Sequence, residues 1–255
     1  MSRESGLHRA LERNEFFLEY QPKVKADSGA ICGAEALLRW KPLHHAGLIP
    51  PIEFIPILEE TGMIVEVGRW VLETACRQLI SWQIPDSLPL QVSVNISAVQ
   101  FHTGDLPSMV ADVLAATGIA PHCLCLELTE SIIMQDSAQT IATLQKLRDL
   151  GVQLSLDDFG TGYASLNYLQ RMPLSELKID RSFVKDLPDD KNAVAIVKSV
   201  LSLAESLSLT VVAEGVENRE QAILLAEQGC HQLQGFHFSR PLSADHFQDL
   251  LQRTT

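Results

Sequence analysis

The sequence predicts an α/β fold: a TIM-type (β/α)8 barrel with the first strand antiparallel to the rest. Eight short runs rich in Val, Ile and Leu recur along the chain, most are separated by segments of helical periodicity, and one join is too short for a crossover. Phe16–Gln21 is the first strand. Pro22–Ala30 follows it, with Asp27-Ser28-Gly29 as turn chemistry, and parallel neighbours would need a longer connection, so Ile31–Arg39 returns antiparallel. Helices at Ile52–Thr61 and Val65–Trp82 lead to the third strand, Leu90–Asn95. Helix Leu106–Thr117 precedes Cys123–Leu128, and Ser137–Leu150 precedes Val152–Asp157. Glu176–Ile179, helix Asn192–Leu207, Thr210–Glu214, helix Arg219–Glu227 and Gln232–Phe236 continue the alternation, and Ala244–Gln252 closes it. With no linker, repeat or low-complexity segment, residues 1–255 read as one domain with its core at about 6–252.

A chain that is 46% apolar and 20% charged can bury a large core. Its formal charge of -12 argues against holding long nucleic acid, which needs clustered Lys and Arg. The five cysteines are odd in number and lack C-x-x-C spacing, so they read as reduced, buried side chains rather than disulfides or zinc ligands. Met1–Phe16 is too charged for a signal peptide and no run is apolar enough for a membrane span, so a soluble, cytoplasmic domain without membrane contact is expected. The helical pattern Gly6–Asn14 opens abruptly, as in a piece excised from a longer multidomain protein, whose other parts could include an anchor.

Carboxylates stand at or near the strand ends, where burial is costly unless a cation meets them. Glu35, Glu127, Asp157, Asp158 and Glu214 are of this kind, with Asn95 ending the third strand and Lys178 inside the sixth. In a barrel these ends converge on one mouth. Any one of them alone is more economically a cap or a salt-bridge partner. Together, the five carboxylates carry a charge that two divalent ions and Lys178 would neutralise; hard cations such as Mg²⁺ or Mn²⁺ suit such oxygen ligands, and two ions suit phosphoester hydrolysis.

Several further motifs stand in order along the chain: Tyr20-Gln21-Pro22, Glu35-Ala36-Leu37, Asn95-Ile96-Ser97, Glu127-Leu128-Thr129-Glu130, Asp157-Asp158-Phe159-Gly160, Lys178-Ile179-Asp180, Glu214-Gly215-Val216-Glu217 and Gln234-Gly235-Phe236. On these the chain resembles the EAL family of cyclic di-GMP phosphodiesterases over nearly its whole length. The resemblance implies hydrolysis of cyclic di-GMP to linear 5′-pGpG with two divalent cations, Mg²⁺ or Mn²⁺. It implies that Glu35, Asn95, Glu127 and Asp157 hold the first metal, that Asp157 and Asp158 serve the second, and that Glu214 completes the shell. Lys178 would orient the attacking water, Asp157 and Glu214 would share in the chemistry, and the identity of the general base stays open. Gln21, Leu38, Arg39 and Gln234 match substrate contacts, while Asp180 and Glu217 match supporting groups. Glu130 matches the anchor of the loop after Asp158, which the family couples to homodimerisation through a helix here at about Ala164–Arg171. A longer protein could carry an upstream sensory or regulatory domain. Departures are mild: the stretch Lys41–Gly47, Ala164 and Leu58 differ from the usual pattern. The alternative is a receptor that binds cyclic di-GMP without turning it over, but such members lose part of the set that this chain keeps.

Other residues read as structural. His44 and His45 lack a spaced partner and read as loop residues, and His231 and His237 as core or supporting groups. Cys123 and Cys125 would share one strand face. Trp70 and Trp82 fall on helices and should pack on the barrel, whereas Trp40, directly after Arg39, reads either as packing or as part of the substrate rim.

Overall fold

The computed structural model describes residues 6–43, 45, 47–82, 89–133, 138–160 and 169–254. Eight strands close into a barrel in sequence order: β1 (Phe16–Lys25), β2 (Ile31–Trp40), β3 (Gln91–Ile96), β4 (Leu124–Thr129), β5 (Gln153–Phe159), β6 (Glu176–Ile179), β7 (Thr210–Ala213) and β8 (Gln232–Gln234). β1 is antiparallel to both its neighbours, with Phe16 opposite Trp40 and Lys23 opposite Gln234; every other ladder is parallel. The short turn after β1 therefore decides the one reversed strand, as its length predicts.

Helices α1 (Pro51–Glu60), α2 (Ile64–Trp82), α3 (Ala98–Thr103), α4 (Leu106–Thr117), α5 (Glu130–Ile133), α6 (Ala138–Asp149), α7 (Arg181–Val184), α8 (Lys191–Ser206), α9 (Arg219–Glu227) and α10 (Ala244–Thr254) are described. The main ones cover the outer face of the sheet. Tyr20 meets Trp82 of α2 edge-on at 4.6 Å between ring centroids, and Trp82 lies 4.5 Å from Phe247 of α10, a cluster that fastens the reversed strand to its helices. Among the described residues, no helix is long and apolar enough to cross a membrane.

Two expectations are corrected and one open alternative is decided. β1 does not stop at Gln21: it runs through Pro22 to Lys25, since Pro22 begins no turn here and the residues after it gain a second ladder to β8. Cys123 lies in a 3₁₀ turn, Pro121–Cys123, and β4 starts one residue later, so the two cysteines do not share a strand face. Trp40 is 1% exposed, packs on Phe16 and Phe54, and donates its indole N–H to Glu15 Oε2 at 3.1 Å, so it belongs to the core rather than the rim. Trp70 packs 6.5 Å from Phe16, as a helical position should. The short helices α3, α5 and α7 were not anticipated. Ser137, at the predicted start of α6, and His44 lie outside the described residues.

Candidate active site

Inward positions of (β/α)8 barrels are usually filled with branched apolar side chains. Here they are polar. At the mouth, Lys178 of β6 is 1% exposed, and its Nζ lies 2.6 Å from Glu214 Oε1, 2.7 Å from Glu127 Oε2, 3.2 Å from Asp157 Oδ1 and 3.8 Å from Glu35 Oε2. Glu35 of β2 accepts from Asn95 Nδ2 at 2.7 Å and from Gln234 Nε2 at 2.6 Å, so β2, β3 and β8 fix one carboxylate between them. The Asn95 bond engages the amide nitrogen and leaves its carbonyl oxygen to serve as a ligand. Gln234 Nε2 also donates to Gln21 Oε1 at 3.1 Å, and Gln21 Nε2 donates to the Ser239 carbonyl.

Adjacent residues of a regular strand face opposite sides, so Asp157 and Asp158 could not both serve one site on an unbroken β5. The pairing of β5 with β6 is irregular between Leu156 and Phe159, and Asp158 adopts φ +55°, in the left-handed region rarely used outside glycine. As a result, carboxylate oxygens of Asp157, Asp158 and Glu214 lie within 4.8 Å of one another. Such local strain is tolerated where surrounding structure enforces it and is concentrated at functional sites.

Below this layer, Lys23 of β1 is also 1% exposed. Its Nζ donates to Ser93 Oγ and Glu127 Oε1, each at 2.8 Å, and to Glu176 Oε1 at 3.3 Å. Glu127 thus spans two layers, with an ammonium group on each oxygen. Burial alone would raise its carboxyl, but Lys178 and Lys23 hold it down to about 2. The other carboxylates behave oppositely. Burial raises Glu35, Asp157 and Asp158, and pushes Glu214 up to about 8, even though Lys178 pulls the other way.

This asymmetry is the test of whether divalent cations fit. Six inward carboxylates face two ammonium groups, an excess of four negative charges that two divalent cations would cancel. Without them the cluster holds on to protons. The donors are carboxylate oxygens and an amide, suited to hard ions. The residues present therefore fit the pair of ions expected from the sequence.

The remaining predicted residues divide by place. Glu35, Asp157, Lys178, Glu214, Glu217, Gln21 and Gln234 line a pocket of about 240 Å³, together with Arg181 and Phe236. Leu38 and Arg39 instead line a second, more apolar pocket of about 320 Å³, on the other side of Glu35 and shared with Asn95, Pro51 and Glu59. Arg39 Nε donates to Glu19 Oε2 at 2.7 Å, which fixes the guanidinium at the rim. Asp180 caps α7 through Ser182 N, and Glu217 accepts from Arg181 at 2.6 Å. Glu130 is buried at the end of β4. The segment it would anchor (Thr161 to Tyr163) and most of the helix expected at Ala164–Arg171 lie outside the described residues. His231 accepts from Val211 N across the β7–β8 ladder, a structural role. Sequence reasoning missed Lys23, Glu176, Arg181 and Phe236. Lys23 and Glu176 lie two residues from Gln21 and Lys178, so period-two continuation of each strand was the available signal.

A family model described as EAL domain matches residues 4–241. The chain is 46% identical over 239 residues to the bifunctional diguanylate cyclase/cyclic di-GMP phosphodiesterase MucR of Pseudomonas aeruginosa, covering 94% of this chain and 35% of that protein. It is 45% identical over 242 residues to the oxygen sensor protein DosP of Escherichia coli, covering 94% and 30%. The chain thus spans about a third of the length of these curated relatives. Among solved structures, the PaMucR phosphodiesterase in complex with c-di-GMP matches with a TM-score of 0.90 at 45% identity, covering 95% of this chain and 98% of that one. The EAL enzyme Bd1971, in its cAMP- and cyclic-di-GMP-bound form, matches with a TM-score of 0.90 at 37% identity, covering 97% and 68%.

Proposed function

The chain belongs to the EAL domain family, and from that premise we propose that it hydrolyses cyclic di-GMP to linear 5′-pGpG as a metal-dependent phosphodiesterase. The observation that carries this reading is the mouth itself: Lys178 among Glu35, Glu127, Asp157 and Glu214, with Asp158 turned inward beside them. Glu35, Asn95, Glu127 and Asp157 would hold one Mg²⁺ or Mn²⁺, and Asp157 and Asp158 the other, with Glu214 completing the shell. When bound, the ions would supply Lewis acidity that makes water nucleophilic near neutral pH and offsets charge on the phosphate.

The protein's own groups do the rest. A water oxygen forms the new bond to phosphorus, the P–O3′ bond breaks, and the 3′ oxygen leaves with a proton. Lys178, held rigidly by its carboxylates, orients that water. Glu214 lies 2.6 Å from Lys178 Nζ, so its carboxylate stands next to the group that orients that water. Gln21 and Gln234 offer amide groups to the nucleotide on one side of Glu35, and Leu38 and Arg39 an apolar wall and a guanidinium on the other, so an extended ligand would cross the metal cluster. The same reading includes a homodimer, a cytoplasmic site of action, and sensory or regulatory domains elsewhere in a longer protein.

Anion-exchange analysis of cyclic di-GMP incubated with the pure protein and Mg²⁺ or Mn²⁺, beside Glu35→Ala and an EDTA control, tests the proposal. Linear dinucleotide is expected from the metal-loaded wild type alone. Intact substrate in every lane despite measurable binding would assign the chain to the receptor class.

A further inference from the structure

Lys23 lies outside the ligand set, yet it is the most completely engaged charged side chain of the barrel floor. Its three ammonium protons have three acceptors: Ser93 Oγ and Glu127 Oε1 at 2.8 Å, and Glu176 Oε1 at 3.3 Å. Ser93, Glu127 and Glu176 are, like Lys23, at most 4% exposed. The two oxygens of Glu127 are thereby made unlike each other: Oε1 is tied down to Lys23, and Oε2 points up to Lys178 and the mouth.

We propose that Lys23 is a positioning residue that makes Glu127 a one-oxygen ligand, and through it biases the site toward small divalent cations and against Ca²⁺. The inference rests on the metal-site reading above. Mg²⁺ requires a compact octahedral shell and takes carboxylates through single oxygens, whereas Ca²⁺ accepts larger shells in which a carboxylate binds through both. With Oε1 occupied by an ammonium group and the side chain closed in on every side, Glu127 cannot swing to offer its second oxygen. Glu176 and Ser93 fix Lys23 in turn, so the selectivity device is a chain running β6 and β3 to β1 to β4. Replacing Lys23 by an apolar residue frees Oε1 and opens the two-oxygen mode that Ca²⁺ uses.

Removing Lys23 alone would strand Glu176 in the core, so the test replaces the pair together, Lys23→Met with Glu176→Gln, and compares it with Glu176→Gln alone. Mg²⁺ and Ca²⁺ dissociation constants are measured by calorimetry on wild type and both variants. The expected result is a shift of the Mg²⁺/Ca²⁺ affinity ratio toward Ca²⁺ of at least about tenfold in the double variant, and less than about threefold in Glu176→Gln, where Lys23 keeps Ser93 and Glu127. An unchanged ratio, including one in which both affinities fall together as a merely structural role would give, overturns the proposal. Should the double variant not fold, a crystal structure of the wild type with Mn²⁺ decides: Glu127 bound through Oε2 with Oε1 still on Lys23 upholds it, and two-oxygen ligation overturns it. Wild type that binds no divalent ion at all would instead remove the metal-site reading on which this one stands.

Discussion

Replacing Lys178 by methionine should destabilise the metal-free protein in a manner that depends on both pH and metal. Its Nζ is the shared partner of four carboxylates within 3.8 Å, and the side chain is 1% exposed. Breaking a buried ion pair by removing one partner typically costs about 3–5 kcal/mol. For a chain of this size that corresponds to a fall in Tm of roughly 10 °C. The carboxylates can escape part of the cost by taking up protons. Burial raises Glu35, Asp157 and Asp158 above their ordinary values and Glu214 to about 8, so at pH 5.5 Glu214 is neutral and the ammonium matters less. At pH 8.5 the loss should be largest. Saturating Mg²⁺ should recover most of it, because the ions replace the missing positive charge, while turnover stays lower by at least about 100-fold for want of the group that orients water. Thermal unfolding followed by circular dichroism, with and without Mg²⁺ at the two pH values, reads this directly. A loss that is the same at both pH values and unmoved by Mg²⁺ would refute the electrostatic reasoning and leave Lys178 as a packing residue.

Other expectations follow from the same geometry. In the metal-free wild type the folded-state value of Glu214 lies above its unfolded value, so the stability it contributes is complete at low pH and is lost as pH rises through about 8. Mg²⁺ should therefore raise Tm more at pH 8.5 than at pH 6, and calorimetric melting at matched ionic strength checks the sign. Glu35→Ala should lower kcat by at least about 100-fold and weaken metal binding, because it removes a ligand and also strands the amides of Asn95 and Gln234; isothermal titration with Mn²⁺ separates the metal effect from turnover. Gly235→Ala should cost about 1–3 kcal/mol, since an added Cβ would run into the backbone of Val216 rather than a movable side-chain end, and denaturant unfolding together with kinetics should show stability and turnover falling together.

Periodicity and turn chemistry carried the barrel, the reversed strand and the strand-end carboxylates, because each depends on local spacing that a sequence displays. Lys23 was hidden by its neighbour: Pro22 usually ends a strand, and a lysine beyond it reads as exposed turn. The ladders to β2, through Lys23 and Val24, and to β8, through Lys23 to Lys25, show that β1 continues. Glu176 was hidden in the same way, since its meaning depends on a lysine 153 positions away. For Trp40 the packing alternative holds: neighbouring strand residues face opposite sides, so beside a rim arginine it turns outward under Phe54 of α1. The inward turn of Asp158 has no local signature at all; it arises from a ladder irregularity between β5 and β6. Helix α3 was missed although its signal was local: Ser97 and Gln100 form a reciprocal cap whose spacing is visible in the sequence.

The reversal of β1 also decides where the chain enters the barrel. In an all-parallel barrel the first strand starts on the face opposite the catalytic mouth. Here Phe16 starts beside Trp40, at the carboxyl end of β2, and the residues before it are stitched to that rim: Gly6 sits against the Trp40 ring, Glu15 holds the Trp40 indole, and Lys41 N donates to the Glu15 carbonyl at 2.9 Å. Tension or torque carried along the backbone into Phe16 arrives one residue from Arg39 without crossing the barrel. The inlet of the chain and the inlet proposed for the nucleotide share a doorway.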